Sequence, residues 1–205
     1  NFGKEVVAYG ADKVYVVDDP LLKDYQTDCY VAVMEKVVKQ VMPKILLLGQ
    51  TSLGRDLAPR LAFRLETGLS VDCTELGIDP DTKLLLQTRP VYGGNARAIF
   101  CCETGNPQIA TIRAKAMSPS ERDDSQQGEV TTIEAGIDAS MMKTKVLEMV
   151  KEEVAGVKLE DAEVVVTGGR GIGNGEGFKQ LEDLAKLLNG AVGATRPPCD
   201  NGWVP

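Results

Sequence analysis

Glycines and two arginines near the C-terminal end of the sequence are the residues best suited to binding chemistry. Residues 167–171 read Thr-Gly-Gly-Arg-Gly, and Arg196 follows later, directly after Thr195. Glycines let backbone N–H groups approach a phosphate closely, and a guanidinium adds two parallel charge-assisted hydrogen bonds. The residue types therefore predict a site for a phosphate-bearing ligand.

The elements around these residues predict how they are positioned. Residues 164–166 form a β-branched run typical of a buried strand, and residues 178–188 carry apolar side chains at helical spacing. Gly190 is predicted to stop that helix at the C′ position, and residues 191–195 form a second strand. This order is a βαβ unit, whose ligands bind at the carboxyl ends of the strands, where both arginines fall.

Two common phosphate-binding motifs are excluded by the spacing of the glycines. In G-x-G-x-x-G the third glycine would fall on Asn174 or Glu176, so this is not an ordinary Rossmann fingerprint. The pattern G-x-x-x-x-G-K-[ST] is absent as well. On this segment alone, a glycine-rich turn without any ligand remains the alternative.

The runs VVVTGGRGIGNGEGF and LAKLLNGAVGATRPPCDNGWVP carry a family resemblance. They are similar to the opening of the flavin-binding domain of the electron transfer flavoprotein alpha subunit, with its V-[VS]-[ST]-G-G-R-G-[LI]-G, G-A-[ST]-R and D-x-G-[WF]-V-P patterns. The resemblance implies that FAD is bound. It also implies a cation beside the isoalloxazine ring, which raises the flavin's reduction potential. The residues implied to hold the cofactor are Gly169, Arg170, Gly171, Thr195 and Arg196, the last of them beside the ring.

The run GQTSLGRDLAPRLAFRLETGLSVDC carries a second resemblance to the same family. The family shows A-x-x-x-G-[RK]-x-L-x-P-R-[VL]-A and then T-G-L-x-x-D-C, and the form seen here is closer to the bacterial branch, which includes flavin-bifurcating members. Arg55, Arg60 and Arg64 form either a solvated helix face or contacts to a partner subunit. Arg113 resembles a family arginine on the flavin side of the subunit interface.

The motif Tyr92-Gly93-Gly94-Asn95 is similar to the family's Y-[AG]-G-N. Its glycines permit a bend or bulge, so a structural use is favoured over a catalytic one.

The rest of the chain predicts alternating strands and helices. Pro59 is expected in the first turn of its helix or at a kink, and Pro90 at the junction between two strands. The alternation favours a parallel sheet with right-handed crossovers. The predicted elements are strands at 12–18, 45–48 (buried), 83–89, 91–102 and 108–113, helices at 24–41 and after 52, a loop at 118–129, and a segment at 130–153 that is ambiguous by composition and extended by the family pattern.

The fold class is therefore α/β with two domains. We predict an N-terminal parallel-sheet, nucleotide-binding-like domain at 1–152, followed at 153–205 by the first βαβ unit of a Rossmann-like FAD-binding domain. The family pattern continues past G-W-V-P, and the sequence starts at Asn1 without methionine. We expect it to be a fragment.

Composition excludes several functions. The net charge of −7 argues against nucleic acid and anionic membrane as partners, and no apolar run approaches the ~20 residues of a membrane helix, so a cytoplasmic protein is expected. With five cysteines, no C-x-x-C and no histidine, neither zinc nor a disulfide framework is predicted, and most cysteines are expected to be buried. Histidine-based catalysis is excluded.

The resemblance implies an electron carrier rather than an enzyme with catalytic residues of its own. Its partners would be an electron transfer flavoprotein beta subunit, in a heterodimer, and a redox protein of the acyl-CoA dehydrogenase type; whether the flavin bifurcates electrons stays open. One alternative is an enzyme of the adenylate-forming or ATP-pyrophosphatase superfamily, but the nearest run, residues 167–171, contains an arginine and lacks the acid that the S-G-G-x-D-S loop needs. The other is an interaction fragment without cofactor.

Overall fold

The computed structural model describes residues 2–150, 159 and 161–204, and the chain divides into two compact units, Asn1–Leu147 and Glu148–Pro205. The α/β class is confirmed, because parallel strands joined through helices occur in each unit. The predicted boundary between residues 152 and 153 lies outside the described residues and stays a prediction.

The described part of the N-terminal unit contains three α-helices and eight strands. The helices are α1 (Phe2–Ala8), α2 (Thr27–Val41) and α3 (Ser52–Arg64). The strands are β1 (Lys13–Val16), β2 (Ile45–Gly49), β3 (Leu69–Cys73), β4 (Glu75–Ile78), β5 (Leu85–Val91), β6 (Ala96–Phe100), β7 (Gln108–Ile112) and β8 (Glu129–Thr132).

Strand β7 forms the centre of a three-stranded parallel sheet in the order β2–β7–β3. In register, Gln108 of β7 lies opposite Ile45, and Ile109 lies opposite Leu69. Residues 108–111 are all buried, as is typical of a parallel strand covered on both faces. The prediction that β2 is buried is wrong: none of its residues is fully buried, because β2 is the edge of this sheet among the described residues.

A second sheet, β4–β5–β6, is antiparallel and corrects the predicted strand junction. Pro90 lies inside β5, opposite Arg97 of β6, and is not the junction. A proline is tolerated there because the pairing of β4 with β5 ends at Thr88, so β5 is an edge on that side. The chain reverses instead at Tyr92–Gly94, where Gly93 and Gly94 have φ values of 67° and 93°, which confirms the predicted glycine bend.

Helix α3 begins directly after the turn that follows β2. Thr51 caps it by accepting a 3.1 Å hydrogen bond from the Gly54 N–H. Pro59 lies well inside this helix, so of its two predicted places the first turn is wrong, and a kink at Pro59 stays a prediction. The proline is on the exposed face, where water can bond the Arg55 carbonyl oxygen that the missing N–H leaves without a helical donor.

Strands β1 and β8 form a separate parallel pair, with Lys13 opposite Glu129 and Val16 opposite Thr132. The predicted loop at 118–129 contains no helix, and only its last residue belongs to a strand. The ambiguous segment after it begins with β8 and contains a short 3-10 turn at Ala139–Met141; residues 143–150 adopt neither helix nor strand. Its last predicted residues, 151–153, lie outside the described part of the chain.

The C-terminal unit is the predicted βαβ unit. Its described elements are β9 (Val165–Gly168), α4 (Phe178–Leu187), β10 (Ala191–Ala194) and α5 (Arg196–Asp200). Strands β9 and β10 are parallel, with Val165 opposite Ala191 and Gly168 opposite Ala194. Phe178 and Ala185 of α4 are buried.

The helix stop differs from the prediction by one residue. Asn189, with a φ of 50°, takes the left-handed C′ position that Gly190 was expected to occupy. The Gly190 N–H donates to the Ala185 carbonyl oxygen at 2.8 Å, which completes a Schellman motif. Glycine is needed there because a Cβ would lie 2.4 Å from the Val164 carbonyl oxygen.

The prediction that most cysteines are buried is wrong. Cys29 and Cys73 are buried, Cys102 is half-buried, and Cys101 and Cys199 are exposed; all five are free thiols. Burial raises the pKa of the Cys29 and Cys73 thiols. Among the described residues, none of the helices has the length and apolar character needed to cross a membrane.

Candidate functional site

The carboxyl ends of β9 and β10 lie side by side and bring two of the predicted site residues together. The Thr195 N–H donates to the Gly168 carbonyl oxygen at 2.9 Å, which extends the strand pairing by one residue. A Cβ built on Gly169 would lie 3.5 Å from the Thr195 hydroxyl oxygen. Gly169 and Thr195 are therefore neighbours at the edge where βαβ units bind their ligands.

The glycine-rich segment after β9 consists of two short 3-10 turns, Arg170–Ile172 and Gly175–Gly177. The side chain of Asn174 caps the second turn by accepting a 3.1 Å hydrogen bond from the Gly177 N–H. Helix α4 starts only after this second turn, at Phe178.

The glycines of this segment have two different uses. A Cβ on Gly168 would lie 2.6 Å from Leu181 and 2.8 Å from Phe178, so this glycine lets α4 pack on β9. Gly177 likewise leaves room for Ile172. A Cβ on Gly171 would meet nothing within 4 Å, so Gly171 opens toward solvent. Internal packing therefore does not account for the absence of a side chain at Gly171.

Hydrogen-bonding groups at this edge are available to a ligand. Arg170 is exposed, and within the described residues its guanidinium makes no ion pair or hydrogen bond. The Thr195 hydroxyl also makes no hydrogen bond to any described residue. A free guanidinium, a free hydroxyl and an open glycine are groups that fit a phosphate-bearing dinucleotide.

Arg196 begins α5 and is partly engaged within its own helix. Its Nε donates to Oδ2 of Asp200 at 3.1 Å, and 89% of its side chain is exposed. One carboxylate contact leaves the other N–H groups of the guanidinium free for a ligand. Arg170 and Arg196 thus follow neighbouring strands, and no bond joins them to each other among the described residues.

The N-terminal unit has polar residues at the carboxyl ends of its strands, and these are bonded to each other. Arg113 Nε donates to Asp72 Oδ1 at 2.9 Å and Arg113 Nη2 to Asp72 Oδ2 at 2.5 Å. The Asp72 N–H donates to the Thr111 hydroxyl at 3.0 Å, and that hydroxyl donates to Gln50 Oε1. The bond from Arg113 is the main reason why the pKa of Asp72 is lowered.

The Asp72–Arg113 pair was not predicted from the sequence. Asp72 lies in the T-G-L-S-V-D-C run and Arg113 directly follows β7, so adjacent strand ends were the signal that could have found it. Asp72 has a φ of 61°, a left-handed conformation that aspartate tolerates better than most residues. Arg89, on β5, is nearby and leaves its buried Nε without a partner among the described residues.

Asn95 has a structural role in the hairpin that joins β5 to β6. Its Nδ2 donates to the Tyr92 carbonyl oxygen at 2.9 Å and closes the turn, while the Tyr92 side chain is 85% exposed. The structural use favoured for this motif is therefore supported for Asn95.

The C-terminal unit is of the α/β class, with a parallel βαβ unit and a glycine-rich turn at the strand ends where such folds bind their ligands. The chain belongs to the electron transfer flavoprotein family. The electron transfer flavoprotein domain profile matches residues 3–138, and the electron transfer flavoprotein FAD-binding domain profile matches residues 158–205.

Curated relatives cover nearly the whole of this chain. The electron transfer flavoprotein subunit alpha of Thermoanaerobacterium thermosaccharolyticum is 46% identical over 204 residues, which are 100% of this chain and 62% of that protein. The Megasphaera elsdenii protein of the same name is 44% identical over 98% of this chain and 60% of its own length. The acryloyl-CoA reductase electron transfer subunit beta of Anaerotignum propionicum is 39% identical, over 98% of this chain and 62% of its own length. The chain thus spans about three fifths of these relatives.

Proposed function

We propose that this chain is part of a flavoprotein electron carrier that binds FAD at the carboxyl ends of β9 and β10. The observation that carries the proposal is that side chains at this edge have no hydrogen-bond partner among the described residues. Arg170 and Thr195 make no side-chain bonds to any described residue, and a Cβ built on Gly171 would meet nothing within 4 Å. The match of residues 158–205 to a FAD-binding domain supports FAD as the ligand.

The bound flavin supplies the redox chemistry, since it accepts and releases electrons. The chain's own residues bind and orient it. Arg170 and the N–H groups of Gly169 and Gly171 would hold the phosphates, and the Thr195 hydroxyl would donate a hydrogen bond to the cofactor. Arg196 would supply positive charge to the flavin, which would favour the gain of electrons. Asp200 orients that guanidinium through its Nε.

We further propose that the protein works in a heterodimer with an electron transfer flavoprotein beta subunit. Relatives named as an alpha subunit support a second subunit. A redox partner of the acyl-CoA dehydrogenase type is supported by the relative named as an electron transfer subunit of acryloyl-CoA reductase. The proposed location is the cytoplasm.

A visible absorption spectrum of the chain co-expressed with its candidate beta subunit tests this function. The proposal predicts flavin bands near-stoichiometric with protein, and a more negative reduction potential in Arg196→Ala. A colourless heterodimer would instead support the interaction fragment without cofactor. The absence of both flavin and heterodimer would contradict the proposal as a whole.

A further inference from the structure

A groove in the N-terminal unit, far along the chain from the glycine turns, is not used by the proposed flavin chemistry. It lies between α2 and α3 and is bordered by residues that follow β8, among them Met141 and Lys143. Its volume is about 630 Å³, within the range of pockets that hold small organic molecules.

Helix α3 presents two adjacent rows of side chains to this groove. Pro59 and Phe63, four residues apart, form an apolar row, and Arg60 and Arg64 form a cationic row beside it. Phe63 is 82% exposed, which is unusual for a side chain that gains so much free energy from burial. Val31 of α2 also lines the groove. The groove therefore combines an apolar wall with positive charge.

Each arginine is held from one side by a carboxylate of the same unit. Arg64 Nε donates to Glu35 Oε2 at 3.0 Å, and Arg60 Nε forms a 3.5 Å ion pair with Asp56 Oδ1. A contact through Nε leaves the terminal amino groups of a guanidinium able to bind a second anion. The two guanidinium groups are therefore already oriented in the absence of a ligand.

The carboxylates are themselves kept ionised by hydrogen bonds. Asp56 accepts bonds from the hydroxyls of Thr27 and Tyr25, and these bonds lower its pKa. The pKa of Glu35 is lowered mainly by the bond from Lys39, and also by Arg64. The two carboxylates that hold Arg60 and Arg64 are thus ionised at neutral pH.

The charges that line the groove are predominantly positive. The lining contains Arg60, Arg64 and Lys143 and one acid, Asp28, and the two arginines are also paired with the carboxylates of Asp56 and Glu35, which are not part of the lining. Among the described residues, Lys143 has no hydrogen-bond or ion-pair partner. The groups that can bind a negatively charged ligand here are thus the Lys143 ammonium and the terminal amino groups of the two arginines, whose Nε atoms face carboxylates.

We propose that this groove binds an amphipathic organic anion, with its carboxylate or phosphate head on the Arg60–Arg64 row and Lys143, and its hydrocarbon chain on Phe63. The occupant is a small molecule, since the groove has the volume of a single ligand and both fork-shaped guanidiniums match either head group. The site is separate from the flavin-binding proposal, so each can fail without the other.

Calorimetric titration of the whole chain with octanoate, octyl phosphate, acetate, inorganic phosphate and octylamine tests the proposal. Saturable binding of both octyl anions is expected, with at least a tenfold loss in the double variant Arg60→Gln/Arg64→Gln, about 1.4 kcal/mol. Phe63→Ala should weaken the octyl anions and leave acetate and phosphate unchanged. Arg97→Gln removes an exposed, ion-paired arginine outside the groove and serves as the matched control.

The comparison of the two octyl anions identifies the head group. Tighter binding of octyl phosphate assigns a phosphate monoester, and tighter binding of octanoate assigns a carboxylate. The proposal would be overturned if octylamine bound as tightly as the octyl anions, or if the double variant bound the octyl anions as tightly as the wild type. Binding of a hexaglutamate peptide without binding of the octyl anions would also overturn it. Lys143→Gln, which changes no residue of α3, supplies the same test if the double variant does not fold.

Discussion

At the carboxyl edge of the N-terminal sheet, polar residues are hydrogen-bonded in a chain from Gln50 through Thr111 and Asp72 to Arg113, with the Asp72 backbone N–H as the link to Thr111. At the carboxyl edge of β9 and β10, the side chains of Arg170 and Thr195 make no bond to any residue that the structure describes. Both edges terminate parallel strands, the place where α/β folds bind ligands.

The comparison shows that the fold supplies the location of a site and the side chains decide its use. At the first edge Arg113 is already bonded to Asp72, so an external anion would compete with Asp72 for Arg113. At the second edge the guanidinium of Arg170 has no partner among the described residues, and a Cβ on the neighbouring Gly171 would meet nothing within 4 Å. This difference is the physical basis for placing the cofactor in the C-terminal unit.

Two glycines offer the largest contrast in stability. A Cβ on Gly54 would lie 1.9 Å from the Gly49 carbonyl oxygen, whereas one on Gly171 would meet nothing. Gly54→Ala is therefore expected to destabilise its unit by about 3 kcal/mol, and Gly171→Ala to change stability by less than about 0.5 kcal/mol. Urea unfolding measures both. Equal losses would show that the glycine turn after β9 is packed and not open.

Breaking the Asp72–Arg113 pair is expected to have a smaller effect. Asp72→Asn keeps a residue that tolerates the left-handed backbone but removes the charge. Because the pair is partly exposed, a loss of about 1 kcal/mol is expected at pH 7. Asp124→Asn, which removes the partner of the more exposed Arg122, is the control and should cost less than about 0.5 kcal/mol. A larger loss of stability in Asp124→Asn than in Asp72→Asn would contradict the claim that the bonds at the carboxyl edge of the N-terminal sheet stabilise the unit.

The same pair predicts a pH dependence. Since the pKa of Asp72 is lowered in the folded state, its contribution is fully present above the unfolded pKa of about 3.9 and is lost as pH falls through the folded pKa. The stability difference between wild type and Asp72→Asn should therefore be constant from pH 7 to about 5 and shrink below about 4. Urea midpoints along this range measure it. A difference that grows on acidification would have the wrong sign.

The sequence was sufficient for the βαβ unit, because its glycines, helical spacing and β-branched run all indicate the same structure. It failed where tertiary pairing decides. Pro90 reads as a break, yet β5 accommodates it because β4 pairs only as far as Thr88. The aliphatic run of β2 reads as buried, yet β2 lies at a sheet edge among the described residues.

For the candidate site, residue types were predictable and availability was not. The arginines of both units look alike in sequence, and only the structure distinguishes them. Arg113 is bonded to both carboxylate oxygens of Asp72, whereas Arg170 has no such partner among the described residues. The two groups of glycines likewise differ only in what a Cβ would meet, Leu181 and Phe178 at Gly168 but nothing at Gly171.

The most direct test of the account is the affinity for FAD of the heterodimer carrying Arg170→Gln, measured against Arg113→Gln by flavin fluorescence. The open-edge account predicts that Arg170→Gln weakens FAD binding by about 10- to 100-fold with unchanged thermal stability. Arg113→Gln should leave FAD affinity unchanged and lower stability instead. Loss of FAD binding in Arg113→Gln, with full FAD binding in Arg170→Gln, would contradict the account. The cofactor would then be assigned to the carboxyl edge of the N-terminal sheet.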